Sequence, residues 1–109
     1  MSANVTSAKV LDALGDPTRR RILEIVCDGA LPVGQIASQL PVSRPAVSQH
    51  LKVLKEAGLV RDRQDGTKRL YAVDPGGLGT LRTYLDAMWD AALAEFKEAA
   101  EALSEEARP

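Results

Sequence analysis

The chain has 109 residues, 45% apolar and 27% charged, with a formal net charge of −1; this ordinary globular composition excludes disorder and leaves no room for a second core. One cysteine and one histidine exclude an internal disulfide framework, the all-cysteine, mixed cysteine–histidine and all-histidine zinc sites, and the paired histidines of a zinc-protease helix. No apolar run reaches signal-peptide or membrane-span length, so a compact cytoplasmic protein is expected, with no membrane partner and a radius of gyration of roughly 13 Å.

Val5, Ala8, Leu11 and Leu14 recur at helical spacing and stop at Gly15, which predicts an amphipathic helix within 1–15. Asp16-Pro17 supplies the N-cap and first residue of a second helix, whose Ile22, Leu23, Ile25 and Val26 face a core and which Gly29 stops. Arg19, Arg20 and Arg21 sit in its first turns against the dipole preference, as phosphate ligands or as solvent-facing charge. Cys27 ends an apolar run and reads as a small buried residue. After Pro32, Val33 to Leu40 gives a short helix with Ile36, Ala37 and Leu40 inward, broken by Pro41-Val42. Ser43 then caps a longer helix that tolerates Pro45 in its first turn and runs to Gly58. Together, residues 33–57 form a helix-turn-helix pattern.

Leu59 to Gln64 and Thr67 to Val73 are β-forming runs joined across Asp65-Gly66, the signature of a hairpin with a type I′ turn and positive φ at both central residues. This predicts a wing over 59–73, carrying Arg61, Arg63, Lys68 and Arg69 outside and Leu59, Tyr71 and Val73 beneath. The cluster Gly76-Gly77-Leu78-Gly79 matches no phosphate-binding fingerprint and reads as a loop at the weak start of the last helix, 76–103. That helix, about 27 residues and roughly 40 Å long, exceeds what a core of this size can cover. Its apolar seam therefore predicts a homodimer through the N- and C-terminal helices. The expected interface holds Val5, Leu11, Leu78, Leu81, Leu85, Met88, Trp89, Ala92 and Phe96, with 104–109 as a frayed tail. The predicted fold class is mainly α with a small β-hairpin: one winged helix-turn-helix domain over 1–109.

Charge is unevenly placed. Ser43 to Leu70 holds seven Lys/Arg against three acids, whereas Asp86 to Pro109 holds seven acids against Lys97 and Arg108. Such asymmetry suggests a basic face for an anionic partner and an acidic element directed elsewhere. On the helix from Arg44 to Ala57, Val47, Leu51 and Leu54 cluster inward, while Pro45, Ser48, Gln49 and Lys52 lie broadly opposite and Arg44 marks the exposed N-terminal end. No acid precedes Glu56 on this helix, so its positive end, Arg44 and Lys52 can meet phosphates without local repulsion. In a major groove Gln suits adenine, Arg suits guanine, and Ser bonds bases or phosphate. His50, near the edge of the buried face, reads as a partly buried histidine rather than a base or ligand.

Three stretches, LGDPTRRRILEIV at 14–26, VGQIASQLPVSRPAVSQHLKVLKEAGLV at 33–60 and RDRQDGTKRLYAV at 61–73, resemble the ArsR/SmtB family of bacterial winged-helix repressors. The resemblance implies an obligate homodimer that represses its own operator, an inverted repeat in double-stranded DNA. It places Arg44, Pro45, Ser48 and Gln49 at the reading positions and Arg63, Lys68 and Arg69 on the wing; with Lys52 these make the expected DNA-binding set. Metal-sensing relatives carry a Cys-x-Cys on the helix matching 33–40, or Asp/His and His/Glu pairs on the last helix. Neither is present here, where Asp86, Asp90 and Glu95 remain as solvated carboxylates. No metal and no cofactor is therefore expected, and any small-molecule inducer is left unidentified. The competing class is a winged-helix protein–protein interaction module that does not read DNA, favoured by the acidic pI of about 5.8. An enzyme would need a nucleophile–base pair, and His50 is the only candidate base.

Overall fold

The computed structural model describes residues 6–107; Val5, assigned to the dimer face, and residues 108–109 of the expected tail lie outside them. In chain order the elements are α1 (Ser7–Ala13), α2 (Pro17–Cys27), β1 (Leu31–Pro32), α3 (Val33–Ala37), α4 (Arg44–Glu56), β2 (Val60–Asp65), β3 (Lys68–Val73) and α5 (Pro75–Glu106). Among the described residues, four of the five helix starts are set by side-chain caps, α3 behind Pro32 being the exception. Thr6, Asp16, Ser43 and Asp74 each accept backbone N–H groups from the first turn they precede.

One core forms where α1, α2, α3 and α4 meet the root of the sheet. Val10, Ile22, Ile36, Val47, Leu51, Leu54 and Leu59 are fully buried there, with Tyr71 and Val73 packed against them. In α1 the positions buried in the chain's own core are Val10 and Ala13, while Ala8 and Leu11 of the spaced set face outward and Leu14 is half-buried. Cys27 is exposed, which corrects its assignment to the core. At 100° per residue it falls outside the arc that Ile22, Leu23, Ile25 and Val26 bury.

The sheet has three antiparallel strands in the order β1-β3-β2, one more than a hairpin. Leu31 lies opposite Tyr71 and Pro32 opposite Leu70, with the proline tolerated because β1 is an edge strand. Asp65 pairs with Lys68, so the turn residues are Gly66 and Thr67 rather than Asp65-Gly66. Only Gly66 has positive φ, 62°, which is the pattern of a type II′ turn and corrects the expected type I′.

The glycine cluster is not a loop. Pro75 begins α5 directly, and the Gly77 N–H donates to the Gly58 carbonyl at 2.8 Å, packing the helix start onto the α4–β2 turn. Leu78 and Leu81 are packed against the chain's own core. Beyond them α5 projects: every described residue from Arg82 onward is exposed, and helix continues through Glu106, past the predicted end at Leu103. The molecule is accordingly 75 × 35 × 21 Å with a radius of gyration of 19.6 Å, well above the compact expectation. No helix among the described residues is long and apolar enough to cross a membrane.

Candidate nucleic-acid interface

Helix α4 carries its two faces as the sequence pattern requires. Val47, Leu51 and Leu54 are fully buried, and Arg44, Pro45, Ser48, Gln49 and Lys52 are all exposed. The Ser43 hydroxyl accepts the Ala46 N–H at 3.2 Å and fixes the start of the helix, whose first turn holds no acid. The exposed N-terminus thus offers a positive dipole end beside the Arg44 guanidinium. Arg44 lies across the first turn of α3, where an added Cβ on Gly34 would sit 3.2 Å from its Nη2.

Beside this helix stands the wing. Gln64 Nε2 donates to the Gly66 carbonyl at 3.0 Å within the turn. Arg63, Lys68 and Arg69 are exposed, but the register separates them. Paired residues share a sheet face, so Arg63 (opposite Leu70) and Lys68 (opposite Asp65) lie on one face, and Arg69 (opposite Gln64) lies on the other with Asp62 and Tyr71. Arg69 is also engaged: its Nη1 lies 2.8 Å from Asp62 Oδ2, while Lys55 Nζ on α4 lies 2.8 Å from Asp62 Oδ1.

The Lys55 ammonium, and then Arg69, hold the Asp62 carboxyl below the ordinary Asp value, against partial desolvation. A depressed folded-state pKa contributes stability that is present above the unfolded value and lost as pH falls through the folded one. Urea titrations of wild type and Asp62→Asn should therefore differ at pH 7 and converge progressively below about pH 4. A gap that persists undiminished into strong acid would contradict this.

Residues 16–62 match the bacterial regulatory protein family arsR. The HTH-type transcriptional regulator Rv2034 of Mycobacterium tuberculosis is 53% identical over 98 residues, spanning 90% of this chain and 92% of its own. The chain belongs to the ArsR family. Among solved structures, the ArsR-like transcriptional regulator from Rhodococcus sp. RHA1 is similar at 36% identity and a TM-score of 0.70, over 86% of this chain and 92% of that one. Mb0332 of Mycobacterium bovis, a homodimeric winged helix-turn-helix DNA-binding domain, is similar at 29% identity and a TM-score of 0.61, over 78% and 77% of the two chains. Family and relatives are transcription regulators, and this ArsR-family chain is a DNA-binding regulator rather than an enzyme.

Two polar clusters of the ArsR-family chain escaped sequence reasoning. The first explains the arginine run: Arg19 Nε donates to the Ala13 carbonyl and Arg20 Nη1 to the Leu14 carbonyl, each at 2.7 Å. They satisfy the carbonyl end of α1, where cations belong, which accounts for their place in the first turns of α2. Arg21 makes an exposed pair with Glu24 at 3.5 Å. Arg19 Nη1 also lies 3.5 Å from His50 Nδ1, which ties the junction of α1 and α2 to the middle of α4 and accounts for the half-buried histidine. The second cluster is Lys55–Asp62–Arg69. Its signal was an acid seven residues from a cation on each side, at a spacing that a hairpin beside a helix end can fold together.

Proposed function

We propose that the chain is a cytoplasmic, autoregulatory repressor that binds an inverted-repeat operator as a homodimer, each protomer setting α4 in the major groove and the wing beside it. The observation that carries this is the exposed arc of α4: Arg44, Pro45, Ser48, Gln49 and Lys52 on a helix whose opposite face is wholly buried. Gln49 and Arg44 are the base readers, Ser48 and Lys52 position the backbone, and Pro45 permits close approach. Arg63 and Lys68 supply the wing's phosphate contacts, with Arg69 held by Asp62 on the other sheet face.

The dimer is supported by α5. From Arg82 onward a single protomer buries none of this helix, though it carries Leu85 at 50% exposure, Trp89 at 66% and Phe96 at 72%, with Met88 and Ala92 also exposed. An isolated helix exposing such a seam is marginal in water, and a symmetric partner covers it. Leu11, 40% exposed on α1, extends the same apolar surface. Two half-sites about 10–10.5 bp apart, or a multiple of that, follow from two reading helices held on one face of the duplex. A dimer seated across two grooves occludes a promoter, which is repression by steric exclusion.

The test is sequence selection. A randomised duplex library passed over the chain should yield an inverted repeat, and Gln49→Ala should relax preference at one position of each half-site by about 1–3 kcal/mol. Equal retention of all duplexes, or a Gln49→Ala variant with unchanged preference, would remove α4 as the reading element.

A further inference from the structure

We infer that Asp62 is a positioning residue for DNA recognition: by holding Lys55 and Arg69 it withdraws two cations from phosphate contact and fixes the wing against α4, sharpening discrimination between operator and bulk duplex. This rests on the proposed DNA reading and deepens it. Asp62 itself touches no DNA in that reading and acts through its two partners.

Each carboxylate oxygen serves a different element. Oδ1 lies 2.8 Å from Lys55 Nζ in the last turn of α4, and Oδ2 lies 2.8 Å from Arg69 Nη1 on β3. The Asp62 side chain is only 9% exposed, whereas those of its partners are 55% and 52% exposed. The cations cover the acid on the protein side and turn their remaining surface to solvent. Among the described residues this is the only side-chain ion pair or hydrogen bond joining α4 to the wing. It therefore adds a polar tie to the buried packing of Leu54, Leu59 and Val60 that holds the reading helix beside the β-ribbon.

The electrostatics follow. A lysine or arginine that contacts a phosphate releases condensed counterions, which is the sequence-independent part of affinity. A phosphate contact by Lys55 or Arg69 is made either beside a carboxylate that repels the same phosphate or by leaving Asp62, which strands a largely covered carboxylate beside a polyanion. Both cations are therefore spectators, and their charge does not strengthen binding to random duplex. The register places Arg69 on the sheet face away from Arg63 and Lys68, so the wing's outer cations remain free for phosphate while the inner one is locked.

The experiment uses the full chain with two duplexes of equal length: one selected from the randomised library by wild type, and a scrambled version of it. Asp62→Asn keeps the shape, removes the charge and frees both cations. The expected result is scrambled-duplex binding about tenfold tighter at low salt, with the slope of log K against log salt steeper by about 2 to 4 for a dimer that frees four cations. The ratio of selected to scrambled affinity should fall about tenfold. An unchanged slope, or a parallel fall in both affinities that tracks a loss of Tm, overturns the inference.

Lys55→Met tests it independently should the Asn variant not fold. It should leave the wild-type slope within about 0.5, whereas Lys52→Met on the same helix should flatten it by about 2, one phosphate per protomer. A Lys55→Met loss equal to that of Lys52→Met makes Lys55 a phosphate contact and sinks the spectator role, with the DNA reading intact. Failure of wild type to select any duplex overturns both.

Discussion

Gly77→Ala should be the most damaging single-methyl change in this chain. An added Cβ would lie 2.7 Å from the Gly58 carbonyl carbon, closer still to its oxygen, and 3.0 Å from the Leu59 nitrogen. These are backbone atoms that cannot rotate away, and the Gly77 N–H already donates to that same carbonyl. The start of α5 would have to lift off the α4–β2 turn, losing this hydrogen bond and the packing of Leu78 and Leu81. Overpacking of this kind, with a lost bond added, costs about 3 kcal/mol, which at this chain length lowers Tm by roughly 12–24 °C. Gly79→Ala, two residues on, is the control. Nothing lies within 4 Å of its added Cβ, so relief of glycine's helix cost should stabilise the chain by about 0.5–1 kcal/mol. Calorimetric melting of the two variants should therefore move in opposite directions; a shared direction would refute the close-approach account of Gly77.

The paired substitution Trp89→Glu with Phe96→Glu should make the protein monomeric. These are the two most exposed aromatic side chains on α5, one turn pair apart on the same seam, and each offers about 150–250 Å² to a partner. At about 25 cal/mol per Å² each contributes several kcal/mol to association, counted in both protomers. The added carboxylates also join a helix end already rich in acids, so like charges face one another across the seam. Sedimentation should show a dimer dissociation constant raised by more than about 1,000-fold, a change of over 4 kcal/mol. Operator affinity should fall at least about 100-fold because two half-sites are no longer linked. Unchanged sedimentation with intact operator binding would place the interface elsewhere.

How far the sequence could be read depends on the range of each interaction. Caps, apolar spacing and glycine stops are local, and they located α2, α4, the wing and the buried faces of Val47, Leu51 and Leu54 in advance. The turn type and the outward phase of Cys27 were misread locally; the other failures are tertiary. A two-residue strand containing Pro32 has no local signature, and it exists because Leu31 and Pro32 fall alongside β3. The glycines at 76, 77 and 79 argue for a loop by propensity, yet the contact of Gly77 with Gly58 requires the smallest residue within a helical turn. Arg19 and Arg20 look misplaced on their own helix and are explained by the end of the preceding one. Asp62 registered only as one negative charge in a basic stretch, since its role appears once the ribbon's register and the approach of α4 are both fixed. At the candidate site, the exposed arc of α4 was legible residue by residue, whereas the division of the wing's cations between two faces was not.

The two-residue strand β1 also bears on how the wing moves. It pairs with β3 only at Leu70 and Tyr71, midway along the ribbon, leaving the rungs Gln64–Arg69 and Asp65–Lys68 and the turn without a third strand. Mechanically this is a short cantilever, clamped at mid-length by a third strand and compliant at its end. In the proposed complex, Lys68 at the tip would follow grooves of different width while α4 stays in register, accommodating variation in duplex shape without repacking the interior.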